Sequence, residues 1–146
     1  MAQRTGARRT GARQPAARTP GAKRAGAGEY FFELTKVDPI KGGPAYSTAF
    51  GPCVEGDRLI VALMRIPAGT KSEPHTHPNE QWIYVLEGTF DVTVSGKRSL
   101  VRPGSLIYIP ANTVHSASAT PEADVVFFTA KDGSHSLHGI KAAAAE

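Results

Sequence analysis

The chain lacks the features that mark several large classes of protein. It has a single cysteine, Cys53, which excludes a disulfide within the chain and is compatible with a reducing cytoplasm. No apolar run approaches the roughly 20 residues of a membrane-spanning helix, and no signal-like apolar run follows Arg8 and Arg9. A Gly-x-Ser-x-Gly elbow, a phosphate-binding glycine-rich loop and a dinucleotide fingerprint are all missing. We therefore expect a cytoplasmic protein with no membrane contact and no familiar nucleophile or nucleotide chemistry.

Basic charge is concentrated at one end of the chain. Residues 1–28 hold seven Lys or Arg residues and no acid, whereas residues 29–146 hold ten basic and 13 acidic residues. After Met1 this first stretch has no aromatic or large aliphatic side chain, so it cannot bury enough apolar surface to offset the entropy lost on ordering. We predict a disordered tail over 1–28 and one folded domain over 29–146. A basic arm is able to bind nucleic acid, but the loose Ala, Gly, Arg and Pro repetition is more typical of a plain extension, so no nucleic-acid partner is expected.

From Glu29 onward, short runs rich in Val, Ile, Tyr and Phe are separated by Gly and Pro. Strands are predicted near 30–35, 45–51, 58–66, 73–77, 81–87, 89–95, 98–102, 105–109, 114–119 and 123–130. Apart from the alanine-rich segment 141–146, which is too short to form a stable helix alone, no stretch has helical periodicity. Numerous short, evenly spaced strands are typical of an all-β sandwich or barrel.

Two stretches concentrate side chains that bind metals. His75 and His77 are one residue apart on a predicted extended segment, so their imidazoles project from the same face. Gln81 lies at an even offset from both histidines, and His115 follows in a later segment. Imidazole is the commonest protein ligand for a transition metal. The chain therefore carries enough side-chain nitrogen and oxygen to hold one metal ion.

These stretches resemble the two signature motifs of the cupin superfamily. The first family motif runs Gly, five residues, His-x-His, three or four residues, Glu or Gln, six residues, Gly. Every spacing is matched by Gly69, His75, His77, Gln81 and Gly88. Glu80 is an alternative oxygen ligand that strand parity does not exclude, because Pro78 and Asn79 distort the strand. The six-residue spacing to Gly88 favours Gln81.

The second family motif runs Gly, five residues, Pro-x-Gly, two residues, His, three residues, Asn. Gly104, Pro110 and His115 match it, while Asn112 stands in place of the glycine and Ala119 in place of the asparagine. Neither departure removes a ligand, and two linked motifs are more specific than either alone. The resemblance implies a small single-domain cupin: a jelly-roll β-barrel that holds the metal inside its open mouth.

The resemblance also implies a cofactor and a reaction class. One divalent transition metal (iron, manganese, nickel or zinc) would be held by His75, His77, Gln81 and His115. Four neutral ligands leave the ion its full charge, which favours Lewis-acid chemistry over oxidation of the metal. The expected reaction is isomerisation, ring opening or a lyase reaction of a small carbonyl or carboxylate compound such as a sugar acid. The alternatives are an iron(II) dioxygenase and a non-catalytic cupin that binds a small molecule.

Other residues are candidates for substrate contact. Tyr108 is a candidate proton donor, because a buried hydroxyl must find a partner. Arg65 and Lys71 are candidates for holding a substrate carboxylate, although strand parity does not settle which face Arg65 takes. His135 and His138 could form a second metal site, but without a carboxylate at useful spacing they are better interpreted as part of a closing C-terminal segment.

Two further expectations concern assembly and pH. Trp82 and Tyr84 alternate with Gln81 and should face away from the metal, while Ile83 and Val85 should share the ligand side. Exposed aromatic residues are enriched at interfaces, so a homodimer is expected. Because protons compete with metal for imidazole, metal affinity is expected to fall as the pH drops through the usual histidine range.

Overall fold

The computed structural model describes residues 16–143, which form twelve strands and one short 3-10 turn at Leu34–Lys36. The strands are β1 Lys23–Arg24, β2 Pro39–Lys41, β3 Phe50–Glu55, β4 Leu59–Ile66, β5 Lys71–Thr76, β6 Gln81–Glu87, β7 Phe90–Val94, β8 Lys97–Val101, β9 Leu106–Ile109, β10 His115–Ala119, β11 Val125–Asp132 and β12 Ile140–Lys141. None of these described residues forms a helix long and apolar enough to cross a membrane.

The strands form two sheets. One has seven strands in the order β1-β3-β4-β11-β6-β9, with β2 beside β3, and the other has five in the order β12-β5-β10-β7-β8. Every pair is antiparallel except β1 with β3. Because β11 lies between β4 and β6, and β5 pairs with β10, the chain passes repeatedly from one sheet to the other. The predicted all-β jelly-roll barrel is confirmed.

The core lies between the two sheets and follows strict alternation along the strands. On β4, Ile60, Ala62, Met64 and Ile66 are buried, whereas Leu59 is exposed. The opposite sheet contributes Phe90, whose ring packs 5.3 Å from that of Phe127. Burying each large apolar side chain contributes about 1.5–3 kcal/mol. These apolar side chains form the core on which the polar cluster inside the barrel packs.

Two turns show why particular residues occupy the motif positions. Gly88 has φ 78°, and a Cβ there would lie 2.2 Å from the carbonyl oxygen of Asp124, so the close approach of these backbones requires glycine. Asn112 has φ 59°, a left-handed conformation that asparagine adopts more readily than most residues. Its backbone N–H donates to the carbonyl of His77. Asn112 thus occupies the glycine position of the cupin motif in a left-handed conformation that glycine also adopts without strain.

The predicted tail boundary at residue 28 needs correction. Residues 1–15 lie outside the described residues, but residues 16–28 lie against the seven-stranded sheet. The backbone N–H groups of Arg18 and Thr19 donate to the carboxylate of Glu55 at 2.6 and 2.8 Å, and β1 pairs with β3. Backbone hydrogen bonds to a buried carboxylate hold this segment, although its side chains offer little apolar surface.

Most predicted strands match the structure to within two residues at each end, but two do not. The prediction over 30–35 is wrong: Tyr30 and Phe31 are 78% and 96% exposed, and a 3-10 turn follows them. The strand predicted over 45–51 begins only at Phe50, because residues 44–46 form a turn. Aromatic residues there favoured a strand, but no neighbouring strand is available to pair with residues 30–35.

Candidate metal centre

Four polar side chains converge inside the barrel, at the end where β5, β6 and β10 meet. His75 lies near the end of β5 and pairs across the sheet with His115, the first residue of β10. His77 follows β5 directly, and Gln81 begins β6. All four are at most 7% exposed. The ligating nitrogens of the three histidines lie within 4.8 Å of one another.

Each histidine ring is oriented by a backbone carbonyl two residues away. Nδ1 of His75, His77 and His115 lies 2.7, 2.6 and 2.8 Å from the carbonyl oxygens of Glu73, Asn79 and Thr113, respectively. Because a carbonyl can only accept, Nδ1 must carry the proton in each ring. The lone pair is therefore on Nε2 of all three rings, as metal ligation requires.

Hydrogen bonds also fix the amide of Gln81. Its Nε2 donates to Oγ1 of Thr129 at 2.8 Å, and that hydroxyl donates its own proton to the carbonyl of Trp82 at 2.9 Å. Oε1 of Gln81 then points at Nε2 of His77, 2.9 Å away. Both of these atoms carry lone pairs and neither carries a proton. This contact is repulsive unless a cation lies beside both atoms.

The site fits a metal ion on these grounds. The 2.9 Å separation of Nε2 of His77 and Oε1 of Gln81 is compatible with two donors that would share one cation. In addition, Nε2 of His115 is buried and has no hydrogen-bond partner among the described residues. A buried acceptor without a partner is costly, and a metal ion would satisfy it.

Burial keeps the three histidines neutral. Together with the charge of Lys131, which has a smaller effect, it lowers the pKa of His75 to about 3 and those of His77 and His115 to about 4. The metal-free rings are therefore unprotonated at neutral pH and ready to bind a cation. With these pKa values, protons are expected to compete with metal in the folded protein at a lower pH than the usual histidine range.

The structure places Gln81 and Glu80 on opposite sides of the sheet. Gln81 is buried with the histidines, whereas Glu80 is exposed and accepts a hydrogen bond from the hydroxyl of Tyr108. Tyr108 is 45% exposed and its ring packs 4.7 Å from that of Trp82 on the outer face. The interpretation of Tyr108 as a proton donor in the site is therefore corrected, because its hydroxyl faces away from the cavity.

Arg65 and Lys71 also lie outside the cavity. Arg65 is exposed on β4, between the inward-facing Met64 and Ile66, and forms an ion pair with Asp124 at 2.9 Å. Lys71 is exposed at the start of β5. The interpretation of Arg65 as a group that holds substrate is corrected for this reason: strand parity turns its side chain to the outer surface.

Two residues of the site were missed by sequence reasoning. Lys131, 4% exposed on β11, lies in register with Gln81 and lines the same cavity as His75, Gln81 and His115. Burial lowers its pKa to about 7. Tyr46 stacks on His75 with ring centroids 4.0 Å apart, and its hydroxyl accepts the backbone N–H of Gly139. Sequence could have indicated Lys131 through its even offset from the inward-facing residues of β11. The predicted strand ended at residue 130, so this offset was not considered.

The cavity enclosed by these residues has a volume of about 60 Å³. Its walls include the apolar side chains of Ile83, Phe90 and Phe127, and Leu137 of the C-terminal segment closes one side. Within the described residues, the only three-ligand cluster is the one formed by the three histidines, so His135 and His138 belong to that closing segment. The cavity is apolar on one side and lined by nitrogen and oxygen donors on the other.

Comparison with known proteins places these residues in a family. Residues 62–131, which include all four candidate ligands, match the family model of the Cupin domain. The dimethylsulfoniopropionate lyase DddW of Ruegeria pomeroyi is 28% identical over 86 residues, 58% of this chain and 57% of that protein. The oxalate decarboxylase OxdC of Bacillus subtilis is 29% identical over 101 residues, 66% of this chain and 26% of that protein. The chain thus spans less than two thirds of the length of either curated relative.

Solved structures show the same fold. The polyketide cyclase RemF from Streptomyces resistomycificus matches with a TM-score of 0.68 and 22% identity, over 80% of this chain and 87% of that chain. KdgF from a Halomonas species matches with a TM-score of 0.59 and 24% identity, over 70% of this chain and 92% of that chain. At these identities the likeness establishes the fold alone.

Proposed function

The chain belongs to the cupin family, and on that premise we propose that it is a mononuclear metal-dependent enzyme that acts by Lewis-acid chemistry. The substrate class is a small carbonyl or carboxylate compound, and the reaction is isomerisation, ring opening or elimination of the lyase type. The cofactor is one divalent transition metal, namely iron, manganese, nickel or zinc. The proposal rests chiefly on the facing lone pairs of His77 and Gln81.

The charge of the donor set supports the reaction class. Three imidazoles with lowered pKa values and one amide oxygen are all neutral, so they leave a divalent ion its full charge. Such an ion, when bound, would supply a strong Lewis acid that polarises a carbonyl or acidifies a neighbouring C–H bond. The carbonyls that hold Nδ1 of each ring keep the donors oriented before substrate arrives.

The dimensions of the cavity support a compact substrate. A water molecule needs about 10–15 Å³ of such space, so a cavity of about 60 Å³ holds a molecule of only a few non-hydrogen atoms. The apolar walls, which include Phe90 and Phe127, exclude bulk water from the donor side. In this conformation the space favours a short-chain acid over a full sugar acid.

The two curated relatives compared above support the same substrate class. One is named for dimethylsulfoniopropionate and the other for oxalate, and both compounds are small carboxylates. Both names also describe cleavage of a bond without net oxidation by dioxygen, as a lyase and a decarboxylase. We extend only these two shared properties to this chain, namely a compact carboxylate and bond cleavage.

The first test is metal content, measured by elemental mass spectrometry on full-length protein purified without chelators. We expect about one equivalent of one transition metal, lost in the His75→Ala/His77→Ala variant. Gln81→Ala should lower metal affinity by at least about tenfold, since it removes a ligand, whereas Glu80→Ala should not. Glu80 serves as the control because it has a side chain of similar size, precedes β6 directly and is exposed outside the cavity.

Turnover then separates the reaction classes. The metal-loaded protein should convert one or more short-chain hydroxy- or keto-acids in lyase and isomerase screens without consuming oxygen. Oxygen uptake with an iron-loaded protein would replace this proposal by the dioxygenase alternative. Tight binding of one metabolite without turnover would favour a non-catalytic binding role. A folded protein that does not bind added metal would contradict the proposed metal centre.

We also propose that the chain forms a homodimer through the outer face of the seven-stranded sheet. Two rows of side chains cross the strands there: Tyr108, Trp82 and Ala130 in one row, and Leu106, Tyr84 and Phe128 in the next. The large residues in these rows are 38–62% exposed. The rows contain no charged residue, so a second copy of the same face is a suitable partner.

A further inference from the structure

Lys131 is a buried cation without an anionic partner in the described part of the chain. Its ammonium donates to the backbone carbonyl of Leu137, and no carboxylate of residues 16–143 lies within 4 Å of it. Glu55, which is also fully buried, has its carboxylate hydrogen-bonded to the backbone of Arg18 and Thr19. A buried ammonium that lacks a counter-ion is costly, and burial accordingly lowers the pKa of Lys131 to about 7, so the protonated side chain would be stabilised by an anion in the cavity.

The position of Lys131 relates this charge to the metal centre. It follows Val125, Phe127 and Thr129 on the inward face of β11, and it lines the cavity together with His75, Gln81 and His115. Its charge acts on all three histidines of the cluster. A small molecule that enters the cavity therefore meets neutral metal-binding donors and an ammonium group in the same enclosed space.

The ammonium also has unused hydrogen-bonding capacity. A lysine has three donor hydrogens, and the structure gives Nζ one acceptor, the carbonyl of Leu137. That carbonyl is held in place because the Leu137 N–H donates to the hydroxyl of Thr19. The remaining hydrogens are available to an acceptor inside the cavity. In an apolar space, a carboxylate oxygen supplies both the hydrogen bond and the missing negative charge.

We propose that Lys131 is the substrate-anion subsite of this cavity and holds the carboxylate of a compact acid beside the histidine cluster. The proposal deepens the function proposed above and rests on it, because it assigns the anionic end of the substrate to a residue other than the metal ligands. It also predicts that the cavity selects anions, because neutral analogues of the same shape lack the negative charge that would pair with Lys131. Lys131 positions the substrate and takes no part in bond cleavage.

The test uses acetate as the probe and acetamide as its neutral isostere, because both fit a space of a few heavy atoms. Full-length protein with ¹³Cε-labelled lysine is titrated at pH 6.5, as purified and after metal removal. We expect the Lys131 Cε–H resonance, assigned with Lys131→Arg, to shift saturably with acetate and not with acetamide. The resonance of Lys71, which is exposed on β5, should not shift.

A second measurement uses variants. Saturation transfer from protein to acetate should show at least tenfold weaker binding by Lys131→Met, partial recovery in Lys131→Arg and wild-type binding by Lys71→Met. The Lys71 variant is matched in charge and side chain but lies outside the cavity. If Lys131→Met does not fold, the titration of the wild-type protein still decides the question.

The outcomes separate this proposal from the proposed function. If the Lys131 resonance does not shift with acetate, or shifts equally with acetamide, the proposed subsite is overturned whether or not metal is bound. Lys131→Met that binds acetate within twofold of wild type would overturn it as well. Acetate binding at Lys131 in a protein that takes up no metal would keep the subsite and overturn the metal-dependent function.

Discussion

The two faces of strands β6 and β11 carry opposite chemistry. The inward face presents Gln81 and Lys131 at its polar end, above buried apolar residues that include Ile83. The outward face presents the half-exposed rings of Trp82 and Phe128. Neighbours in sequence thus belong to different environments, because side chains alternate along a strand. One face is buried and carries neutral donors and a buried lysine, and the other is half-exposed and mainly aromatic, with Asp132 at the end of β11.

Because of this difference, ligand binding in the cavity and self-association, two properties that a mutation often removes together, can be tested separately. Substitutions on the inward face should change metal content, proton binding and anion binding, while leaving self-association intact. Substitutions on the outward face should do the reverse. The three predictions below either sharpen this separation or break it.

The largest expected effect is acid destabilisation of the metal-free protein. Burial gives His75, His77 and His115 folded-state pKa values of about 3, 4 and 4, against 6.5 in the unfolded chain. As the pH falls below 6.5 the unfolded state binds protons that the folded state does not, so the free energy of unfolding decreases until the pH reaches the folded pKa values. Between pH 7 and 5 this amounts to at most about 2 kcal/mol for each histidine.

Urea denaturation of chelator-treated protein at pH 7, 6 and 5 measures this effect. The window lies above the usual carboxylate range, so aspartate and glutamate contribute little to the change. The His75→Ala/His77→Ala variant is the control and should lose much less stability over the same window. Equal stability of the wild-type protein at pH 7 and pH 5 would mean that the histidines are not buried as neutral groups.

The second prediction concerns the outward face. Trp82→Asp places a charge between Tyr108 and Ala130 in the proposed dimer interface. A central aromatic residue of an interface is worth about 2 kcal/mol or more, and the substitution is present in both copies, so the dimer dissociation constant should rise by roughly a thousandfold. Sedimentation equilibrium measures this change. The variant should keep its full metal content, and loss of metal together with the dimer would show that the two faces are coupled.

The fold and the metal-binding residues were accessible from sequence because both depend on local spacing. Short runs rich in Val, Ile, Tyr and Phe, separated by Gly and Pro, predicted the strands of the barrel. The parity that sets Trp82 apart from Gln81 agrees with the burial of each. The spacing of the histidines relative to glycine selected Gln81 over Glu80, and the structure brings Gln81 to the histidines. Ligation itself stays a prediction.

What sequence reasoning missed depends on contacts between distant residues. Residues 16–28 are held by the carboxylate of Glu55, more than thirty positions away, and composition carries no trace of such backbone hydrogen bonds. Lys131 received no role from sequence reasoning because the predicted strand ended at residue 130, whereas β11 continues to Asp132. Tyr108 was assigned to the site because a buried hydroxyl was assumed, whereas cross-strand pairing with Trp82 turns it outward.

The smallest expected effect comes from Arg65, which sequence reasoning placed in the site and the structure places on the surface. Its ion pair with Asp124 joins two side chains that are 45% and 40% exposed, and water screens such pairs strongly. Arg65→Ala should therefore cost at most about 1 kcal/mol of stability, measured by urea denaturation, and should change neither metal content nor acetate binding. Lys131→Met makes the same change in net charge on the inward face and should abolish most acetate binding. If Arg65→Ala weakened acetate binding as much as Lys131→Met, long-range charge rather than the cavity would select the anion, and the distinction between the two faces would fail.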